Sequence, residues 1–339
     1  MYILGMESSC DETSCAIIRA EGEEREILSN IVASQIETHR LYGGVVPEIA
    51  SRAHIEAISG VTREALLTAG IPLSAVGAVA VTAFPGLIGA LLVGVNFAKS
   101  LAFANGLPLV AVNHIKAHAA AAYLSDKTLR PPFLALVVSG GHTAFFDVRD
   151  YTDFCEIGTT RDDAAGEAFD KIGRVIGLPY PAGSAMDALA GEGNEKAFSL
   201  PSPALADGTL DFSFSGLKTA ALNEIHRHEQ SALPFSRADM AASFTAAVTG
   251  GIAKKAGEAL EKSRHRTLVL AGGVAANSHL RRSLAAVCAA HGARLCTPPP
   301  SLCGDNGAMV AMAGYFEYRA GHFADESLNA SAEDDPGDI

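Results

Sequence analysis

Apolar runs bounded by Gly, Pro and Ser alternate along the chain with longer stretches of helical periodicity, which predicts an α/β architecture. Two of these runs are alike. YILGMESSCDETSCAIIR predicts a strand, a Ser-rich acidic turn and a second strand, while FLALVVSGGHTAFFDVR predicts a strand ending at Ser139, Gly140 and Gly141 and a new strand directly after. Tight turns of this kind expose backbone N–H groups that can hold phosphate, although Gly and Ser also serve ordinary hairpins. The two hairpins together indicate a duplicated fold.

A third glycine-rich turn follows the apolar strand of TLVLAGGVAANSHLRRSL. Gly272 and Gly273 end this strand, and Asn277 with Ser278 can cap a helix that runs to about Ala290. A nucleotide base or ribose could lie over the glycines, although Gly is common at strand ends. The order of hairpins, helices and glycine turns predicts two RNase H-like lobes facing a nucleotide cleft.

The predicted organisation has a first lobe, a second lobe with an inserted helical region, a last helix whose chain can return to the first lobe, and an acidic tail. The predicted ranges are 1–110, 111–304 with the insertion near 177–235, 305–321 and 322–339. The tail has six Asp or Glu residues and no Lys or Arg, so we expect it to be disordered.

Composition and net charge exclude some classes of function. Of 339 residues, 48% are apolar and 19% are charged, which is typical of a globular protein. The net charge of −12 argues against a protein that coats nucleic acid by bulk electrostatics. Basic residues near 254–266 and 281–282 allow an RNA-facing patch, but we favour solvated helix faces. Six cysteines without a C-x-x-C pair, and an N-terminus unlike a signal peptide, predict a cytoplasmic protein.

Residues 65–98 contain no Asp, Glu, Lys or Arg and could be mistaken for a membrane span. A span needs about 20 continuous apolar helical residues. Pro72, Gly77, Pro85 and Gly86 interrupt the stretch. We therefore predict a short strand, AVGAVAV, and a buried helix, LIGALLVGVNFA, with no membrane association.

His114 and His118 stand four residues apart in the helical stretch VNHIKAHAAAAYL, so both imidazoles project from one face and can share a divalent metal. The alternative is a pair of partly buried histidines bonded to backbone. A zinc peptidase of the H-E-x-x-H class would need a Glu between them, which is absent. Asp305 in SLCGDNGAMVAMAGYF is the candidate third ligand, or else a helix N-cap. Two histidines and a carboxylate would leave coordination positions open for substrate oxygens, which suits iron(II) or zinc as a Lewis acid.

Neither a P-loop nor a G-x-G-x-x-G motif opening a βαβ unit is present in the sequence. Asp170 in AAGEAFDKIGRVIGL and Asp187 in PAGSAMDALAGEG are the best acids for the predicted cleft. Either could bond ribose hydroxyls or support a helix surface.

Eight motifs occur in order: GMESSCDET, GGVVPEIASRAH, NHIKAH, VVSGGHT, FDKIGR, FSFSGLKTA, GGVAANSHLR and CGDNGAMVA. From about residue 2 to about residue 320, the chain resembles the bacterial tRNA N6-adenosine threonylcarbamoyltransferase family (TsaD), formerly described as sialoglycoproteases. The resemblance implies the fold of the actin, hexokinase and Hsp70 (ASKHA) superfamily. It implies transfer of a threonylcarbamoyl group from threonylcarbamoyl-AMP to N6 of adenosine 37, beside the anticodon, in tRNAs that read codons beginning with A.

The same resemblance implies several partners besides tRNA. A separate synthase would make the adenylate, and bacterial members work with a homologous inactive subunit (TsaB-like) and a small P-loop ATPase (TsaE-like). Two positions depart from the pattern of many bacterial members, which have Glu at Lys116 and Gly at Phe84.

The resemblance also implies roles for individual residues, wherever a motif of this chain matches a motif of the family. His114, His118 and Asp305 become metal ligands. The resemblance places two further groups around the donor: Val137, Val138, Ser139, Gly140 and Gly141 at its phosphate and threonylcarbamoyl portion, and Asp170, Gly183, Asp187 and Asn277 at its nucleotide. Glu12 in the first hairpin is our candidate for the base that takes the proton of the adenine amine, or else it bonds turn amides.

Three other functions compete with this interpretation. A small-molecule carbamoyltransferase or other nucleotide-binding transferase on the same fold usually carries extra domains. A metallopeptidase lacks its general base here. A catalytically inactive scaffold subunit would have lost residues of the metal-binding and glycine-rich motifs, whereas both kinds of motif are intact here.

Overall fold

The computed structural model describes residues 1–231 and 233–333, and it contains ten strands and eleven α-helices within these ranges. The strands are β1 Tyr2–Glu7, β2 Glu12–Glu21, β3 Glu24–Ser34, β4 Val76–Phe84, β5 Leu109–Asn113, β6 Phe133–Val138, β7 Thr143–Val148, β8 Phe154–Thr159, β9 Thr267–Ala271 and β10 Arg294–Cys296. The helices are α1 Ile36–Arg40, α2 Pro47–Ala69, α3 Ile88–Asn105, α4 His114–Ala120, α5 Ala122–Ser125, α6 Ala165–Val175, α7 Gly183–Ala190, α8 Ser215–Gln230, α9 Arg237–Ser263, α10 Ser278–Ala290 and α11 Gly307–Ala320.

The chain divides into two compact units. The first consists of Met1–Arg130 with Pro298–Ile339, and the second is Pro131–Thr297. The predicted division between residues 110 and 111 falls inside the first unit, because β5 pairs with β4 and leads straight into α4. The last helix, α11, belongs to the first unit, where it packs on β1 and β2.

Each unit contains a five-stranded mixed sheet with the same topology. The first sheet has the order β3-β2-β1-β4-β5, and the second has the order β8-β7-β6-β9-β10. In the first sheet, β2 is antiparallel to both β1 and β3, whereas β4 and β5 run parallel to β1. In the second sheet, β7 is antiparallel to both β6 and β8, whereas β9 and β10 run parallel to β6. The two predicted hairpins are β1–β2 and β6–β7, and the duplicated α/β fold is confirmed.

The core of the first unit lies between its sheet and the helices packed on it. Strands β1 and β4 are almost wholly buried, as expected for central strands covered on both faces. Helix α11 approaches β1 and β2 so closely that a Cβ at Gly307 would lie 2.6 Å from the backbone nitrogen of Ala16. This close contact fixes the position of the turn that precedes α11.

Helix α3 is the one described helix long and apolar enough to cross a membrane by length and composition. Its buried residues Val95, Ala98 and Ala102 belong to the hydrophobic core of the first unit, and the helix packs on β4 and α2. A core helix passes the same test as a membrane span. The predicted strand and helix in this stretch correspond to β4 and α3.

Residues 322–333, which follow α11, are bonded to the first unit, whereas the sequence predicted a disordered tail from residue 322. Ala324 donates its N–H to the carbonyl of Leu109 at 2.9 Å, and Ser331 donates to Ala83 at 3.0 Å. Leu328 is only 5% exposed and joins the hydrophobic core. One buried leucine and several backbone bonds therefore order a segment whose average composition is polar. Residues 334–339 of the predicted tail lie outside the described residues.

Two sequence expectations for the second unit need adjustment. The region near 177–235 holds helices α7 and α8, but residues 191–214 between them, all of them described, form no helix. In the basic stretch, Lys255 is buried rather than solvated, and its ammonium group donates to the carbonyl of Thr209 at 2.6 Å and lies 3.2 Å from Glu258.

Candidate functional site

Helix α4 brings the two histidines of the predicted metal pair together. Asn113 ends β5 and caps α4, because its side-chain oxygen accepts from the backbone N–H groups of Ile115 at 2.8 Å and Lys116 at 3.0 Å. The capped helix places His114 and His118 one turn apart, with ring centroids 4.7 Å apart and planes at 76°. Both rings are buried.

Asp305 reaches the same point from the turn before α11. Its Oδ1 lies 3.1 Å from Nε2 of His118 and 3.7 Å from Nε2 of His114. Asn306, and not Asp305, caps α11 by accepting from the N–H of Met309 at 3.0 Å. The alternative assignment of Asp305 as the helix cap is therefore wrong, and its carboxylate faces the histidines.

The cluster fits a transition-metal ion. One ligand atom from each of His114, His118 and Asp305 lies within 4.8 Å of the others. Both ring nitrogens of His118 are buried without a hydrogen-bond partner among the described residues, although Nε2 is within ion-pair distance of Asp305. An unsatisfied buried nitrogen is costly, and a bound cation would remove that cost at Nε2. Two imidazoles and one carboxylate are donors suited to iron(II) or zinc.

Two further polar side chains contact His114, and a third contacts one of these two. Its Nδ1 lies 3.0 Å from Oε2 of Glu7 and 3.1 Å from Oγ of Ser9. Glu7 also accepts from the hydroxyl of Thr82 at 2.7 Å. Burial works against ionisation of Glu7, but the neighbouring His114 and the hydroxyl of Thr82 bring the pKa of Glu7 below its ordinary value. Sequence reasoning missed the contact of Glu7, Ser9 and Thr82 with one another and with His114. Glu7 and Ser9 lie in the motif GMESSCDET, but Thr82 lies in none of the eight motifs, and no motif showed that these residues meet.

Glu12, the candidate base, lies at the start of β2 in the same unit. Its carboxyl accepts from the hydroxyl of Ser34 at 2.9 Å. Burial, together with the negative charges of Asp11 and Asp305, raises the pKa of Glu12 to about 9. The carboxyl is therefore protonated near pH 7, and it can accept a proton only where a neighbouring positive charge lowers its pKa.

The second unit contains a pocket of about 380 Å³ at the ends of its central strands. Five of the residues predicted to bind the donor line it: Gly140, Asp170, Gly183, Asp187 and Asn277. The glycine turn at Gly273 also lines it, as the sequence suggested, together with residues that sequence reasoning missed: Gly166, Phe169, Pro181, Ser184, Val274 and Ala276. Strand ends of an α/β sheet are a common place for nucleotide sites.

The two acids of this pocket each bond the start of a helical segment. Asp170 accepts from the N–H of Ala182 at 2.7 Å, just before α7. Asp187 accepts from the N–H and the hydroxyl of Ser278 at 3.1 Å, at the start of α10. The structural role that the sequence left open is thus present for both. Each carboxylate also has capacity to accept further hydrogen bonds.

The turn after β6 is accessible only in part. Val137 and Val138 are fully buried in β6, and their partners in β7 are Ala144 and Thr143. Ser139 is nearly buried, and its Oγ accepts from the N–H of His142. Of the five residues predicted around the donor's phosphate, Gly140 lines the pocket and Gly141 is exposed beside it.

The chain is similar to a known family of tRNA-modifying enzymes over most of its length. The family model described as tRNA N6-adenosine threonylcarbamoyltransferase (TsaD) matches residues 26–312. The chain belongs to that family. The threonylcarbamoyltransferase of Clostridium botulinum is 50% identical over 328 residues, covering 97% of this chain and 96% of that protein. The threonylcarbamoyltransferase of Geobacillus kaustophilus is 51% identical over 332 residues, covering 98% of this chain and 96% of that protein.

Membership in the threonylcarbamoyltransferase family confirms the predicted enzyme class, a transferase that modifies tRNA. Solved structures confirm the fold class. HypF from T. kodakarensis matches with a TM-score of 0.63 and 15% identity over 96% of this chain and 49% of that chain. The ROK hexokinase from Thermus thermophilus matches with a TM-score of 0.51 and 15% identity over 94% of this chain and all of that chain. At such identities the likeness shows the fold alone.

Proposed function

We propose that this threonylcarbamoyltransferase takes its acyl group from threonylcarbamoyl-AMP and transfers it, with the help of a metal, to N6 of adenosine 37 in tRNAs that read codons beginning with A. The observation that carries the proposal is the convergence of His114, His118 and Asp305, whose ligand atoms lie within 4.8 Å of one another. The description of the family already names the acceptor, N6 of an adenosine in tRNA, and the transferred group, threonylcarbamoyl. The donor, the position in the tRNA and the metal are the proposed parts.

His114, His118 and Asp305 would hold one divalent metal, iron(II) or, as the second choice, zinc. A bound metal of this kind supplies Lewis acidity, which withdraws charge from carbamoyl or phosphate oxygens. The protein's own contribution is a ligand set with little access to water, since the exposed fractions of the side chains are 8%, 0% and 19%. A dry site strengthens every charge interaction within it.

The pocket of the second unit would hold the nucleotide portion of the donor. Asp170 and Asp187 have acceptor capacity for ribose hydroxyls, and Asn277 lies beside them at the start of α10. A Cβ at Gly140 or at Gly183 would meet no atom within 4 Å, so both positions leave space that a ligand can fill. Backbone N–H groups of the exposed Gly140–Gly141 turn are proposed to bind the phosphate, and the buried Val137 and Val138 would then act only through strand β6.

The proposed reaction forms one bond and breaks another. The adenine N6 attacks the carbamoyl carbon, the bond from that carbon to the phosphate oxygen breaks, and AMP leaves with the electron pair. N6 loses one proton in the process. Glu12 stays our proposed acceptor for that proton, with the requirement that a positive charge close to Asp305 lowers its pKa from about 9.

The proposed partners are tRNA, a TsaB-like inactive subunit, a TsaE-like P-loop ATPase and a separate synthase that makes the adenylate. The net charge of −12 fits a requirement for help in binding tRNA. We expect the chain alone to bind tRNA weakly and with a steep dependence on salt.

The test is mass spectrometry of nucleosides from unmodified tRNA incubated with the chain, its bacterial partners, iron(II) and threonylcarbamoyl-AMP. We expect threonylcarbamoyladenosine only when this chain is present. The same tRNA with guanosine in place of adenosine 37 is the matched control for position and should give no product. Absence of product although the chain binds metal and nucleotide would contradict the proposal and favour a small-molecule acceptor.

A further inference from the structure

Glu7 is a buried acid with two hydrogen-bond donors and one histidine nitrogen around it. It ends β1, and its side chain has no exposed surface. Oε1 accepts from the backbone N–H of Ser9 at 2.6 Å, while Oε2 lies 2.7 Å from the hydroxyl of Thr82 and 3.0 Å from Nδ1 of His114. A buried charge is tolerated when it is fully paired in this way. All four groups belong to the first unit.

The chemistry of these groups decides which ring nitrogen of His114 carries the proton. Each oxygen of Glu7 accepts a hydrogen bond, from the N–H of Ser9 and from the hydroxyl of Thr82, which fits an ionised carboxylate. Such a group has no proton to donate, so its contact with Nδ1 requires a proton on that nitrogen. The other neighbour of Nδ1, the hydroxyl of Ser9 at 3.1 Å, can donate or accept and so permits either tautomer. Asp305 works in the opposite direction, because its Oδ1 lies 3.7 Å from Nε2 and would favour a proton there.

We propose that Glu7 is a positioning residue that holds His114 in the Nδ1–H tautomer, so that Nε2 presents a lone pair to a metal bound with His118 and Asp305. The inference rests on the metal role in the proposed function. Metal-ligating histidines generally donate their second N–H to a carboxylate or carbonyl, which sets the tautomer and the ring orientation. His118 lacks such support, since neither of its ring nitrogens is hydrogen-bonded by a described residue.

An amide cannot replace the carboxylate of Glu7, although it has nearly the same shape. Glu7→Gln has one oxygen and one NH2 group, so only one of its two ends can accept a hydrogen bond. If the oxygen faces Ser9, the NH2 group points at Nδ1 of His114 and requires the Nε2–H tautomer. If the oxygen faces His114, the NH2 group opposes the N–H of Ser9. The substitution therefore removes the preference for Nδ1–H without creating a cavity.

Thr82→Val is the matched control. It deletes another hydrogen bond to the same oxygen of Glu7, in the same buried network, but leaves the acceptor that faces His114. We would measure the His114 tautomer of the metal-free protein by two-bond 15N–1H correlation at a pH where the ring is neutral, assigned by loss of the signal in His114→Asn. Zinc affinity of the full-length protein would be measured by competition with a chelator.

We expect Nδ1–H in the wild type and in Thr82→Val, and a shift toward Nε2–H in Glu7→Gln with zinc affinity reduced roughly 10- to 100-fold. An Nε2–H tautomer in the wild type would overturn the inference, and this result needs no variant to fold. Reduced affinity without a tautomer change would show a merely structural role and would also overturn it. Failure of the wild type to bind zinc or iron(II) would count against the proposed function, whereas the tautomer measurement judges Glu7 separately.

Discussion

Two glycines of the second unit allow the proposed nucleotide pocket to be tested separately from the fold. Both Gly166 and Gly273 line the pocket, yet a methyl group added to each meets different surroundings. A Cβ at Gly273 meets no atom within 4 Å, and the residue is exposed at the start of a 3₁₀ helix. A Cβ at Gly166 would lie 2.5 Å from the carbonyl oxygen of Ser139 and 2.8 Å from Cα of Gly140. Both of those atoms are backbone atoms, which cannot move aside as a flexible side chain can.

These distances predict opposite outcomes for the two alanine variants. Gly166→Ala should lower the free energy of unfolding by about 1 to 3 kcal/mol, the usual cost of overpacking. Gly273→Ala should leave it unchanged or raise it by up to about 1 kcal/mol, because alanine restricts the unfolded chain. The methyl group at residue 273 would instead occupy ligand space, and a misplaced methyl is worth about 1 to 3 kcal/mol, or roughly 10- to 200-fold in affinity.

The assay is titration calorimetry of AMP and ATP with the wild type and Gly273→Ala, together with urea unfolding of all three proteins. We expect weaker nucleotide binding by Gly273→Ala at wild-type stability, and reduced stability for Gly166→Ala. Equal nucleotide affinity of Gly273→Ala and the wild type would refute the assignment of this pocket. Wild-type stability of Gly166→Ala would refute the argument from close backbone contact.

Two further predictions concern the first unit. Because the folded pKa of Glu12, about 9, lies above the ordinary 4.5, the folded state holds a proton that the unfolded state releases, and stability falls as pH rises between these values. Glu12→Gln mimics the protonated form, so its stability should not fall with pH in this way. In urea unfolding of the metal-free proteins, the stability advantage of Glu12→Gln over the wild type should grow by up to about 1.4 kcal/mol per pH unit between pH 6 and 8. An advantage that does not change with pH would contradict the raised pKa. Leu328→Ala should cost about 2 to 5 kcal/mol of unfolding free energy, whereas Leu67→Ala, at a side chain 73% exposed, should cost less than about 0.5 kcal/mol. Equal effects of the two leucine substitutions would show that residues 322–333 do not pack on the core.

Much of the fold could be predicted because it depends on neighbours along the chain. The hairpins β1–β2 and β6–β7 follow from apolar runs separated by turn residues. The capped helix α10 follows from Asn277, whose side chain accepts from the N–H of Leu280 at 2.9 Å. Average composition was a poorer guide, since it hid the single buried leucine that anchors residues 322–333.

The sequence by itself determined the fold class, the family and the helical spacing of His114 and His118, because these depend on periodicity and on motifs within short stretches. Only the tertiary structure decided how the rest of the candidate site is built. Asp305 faces the histidines because α11 packs directly on the backbone of β1 and β2, while Asn306 takes the capping role. Glu7 meets His114 because β1 and β5 both flank β4 in one sheet. Contacts between residues so far apart in the chain depend on sheet order and close packing, which no local pattern of residues encodes.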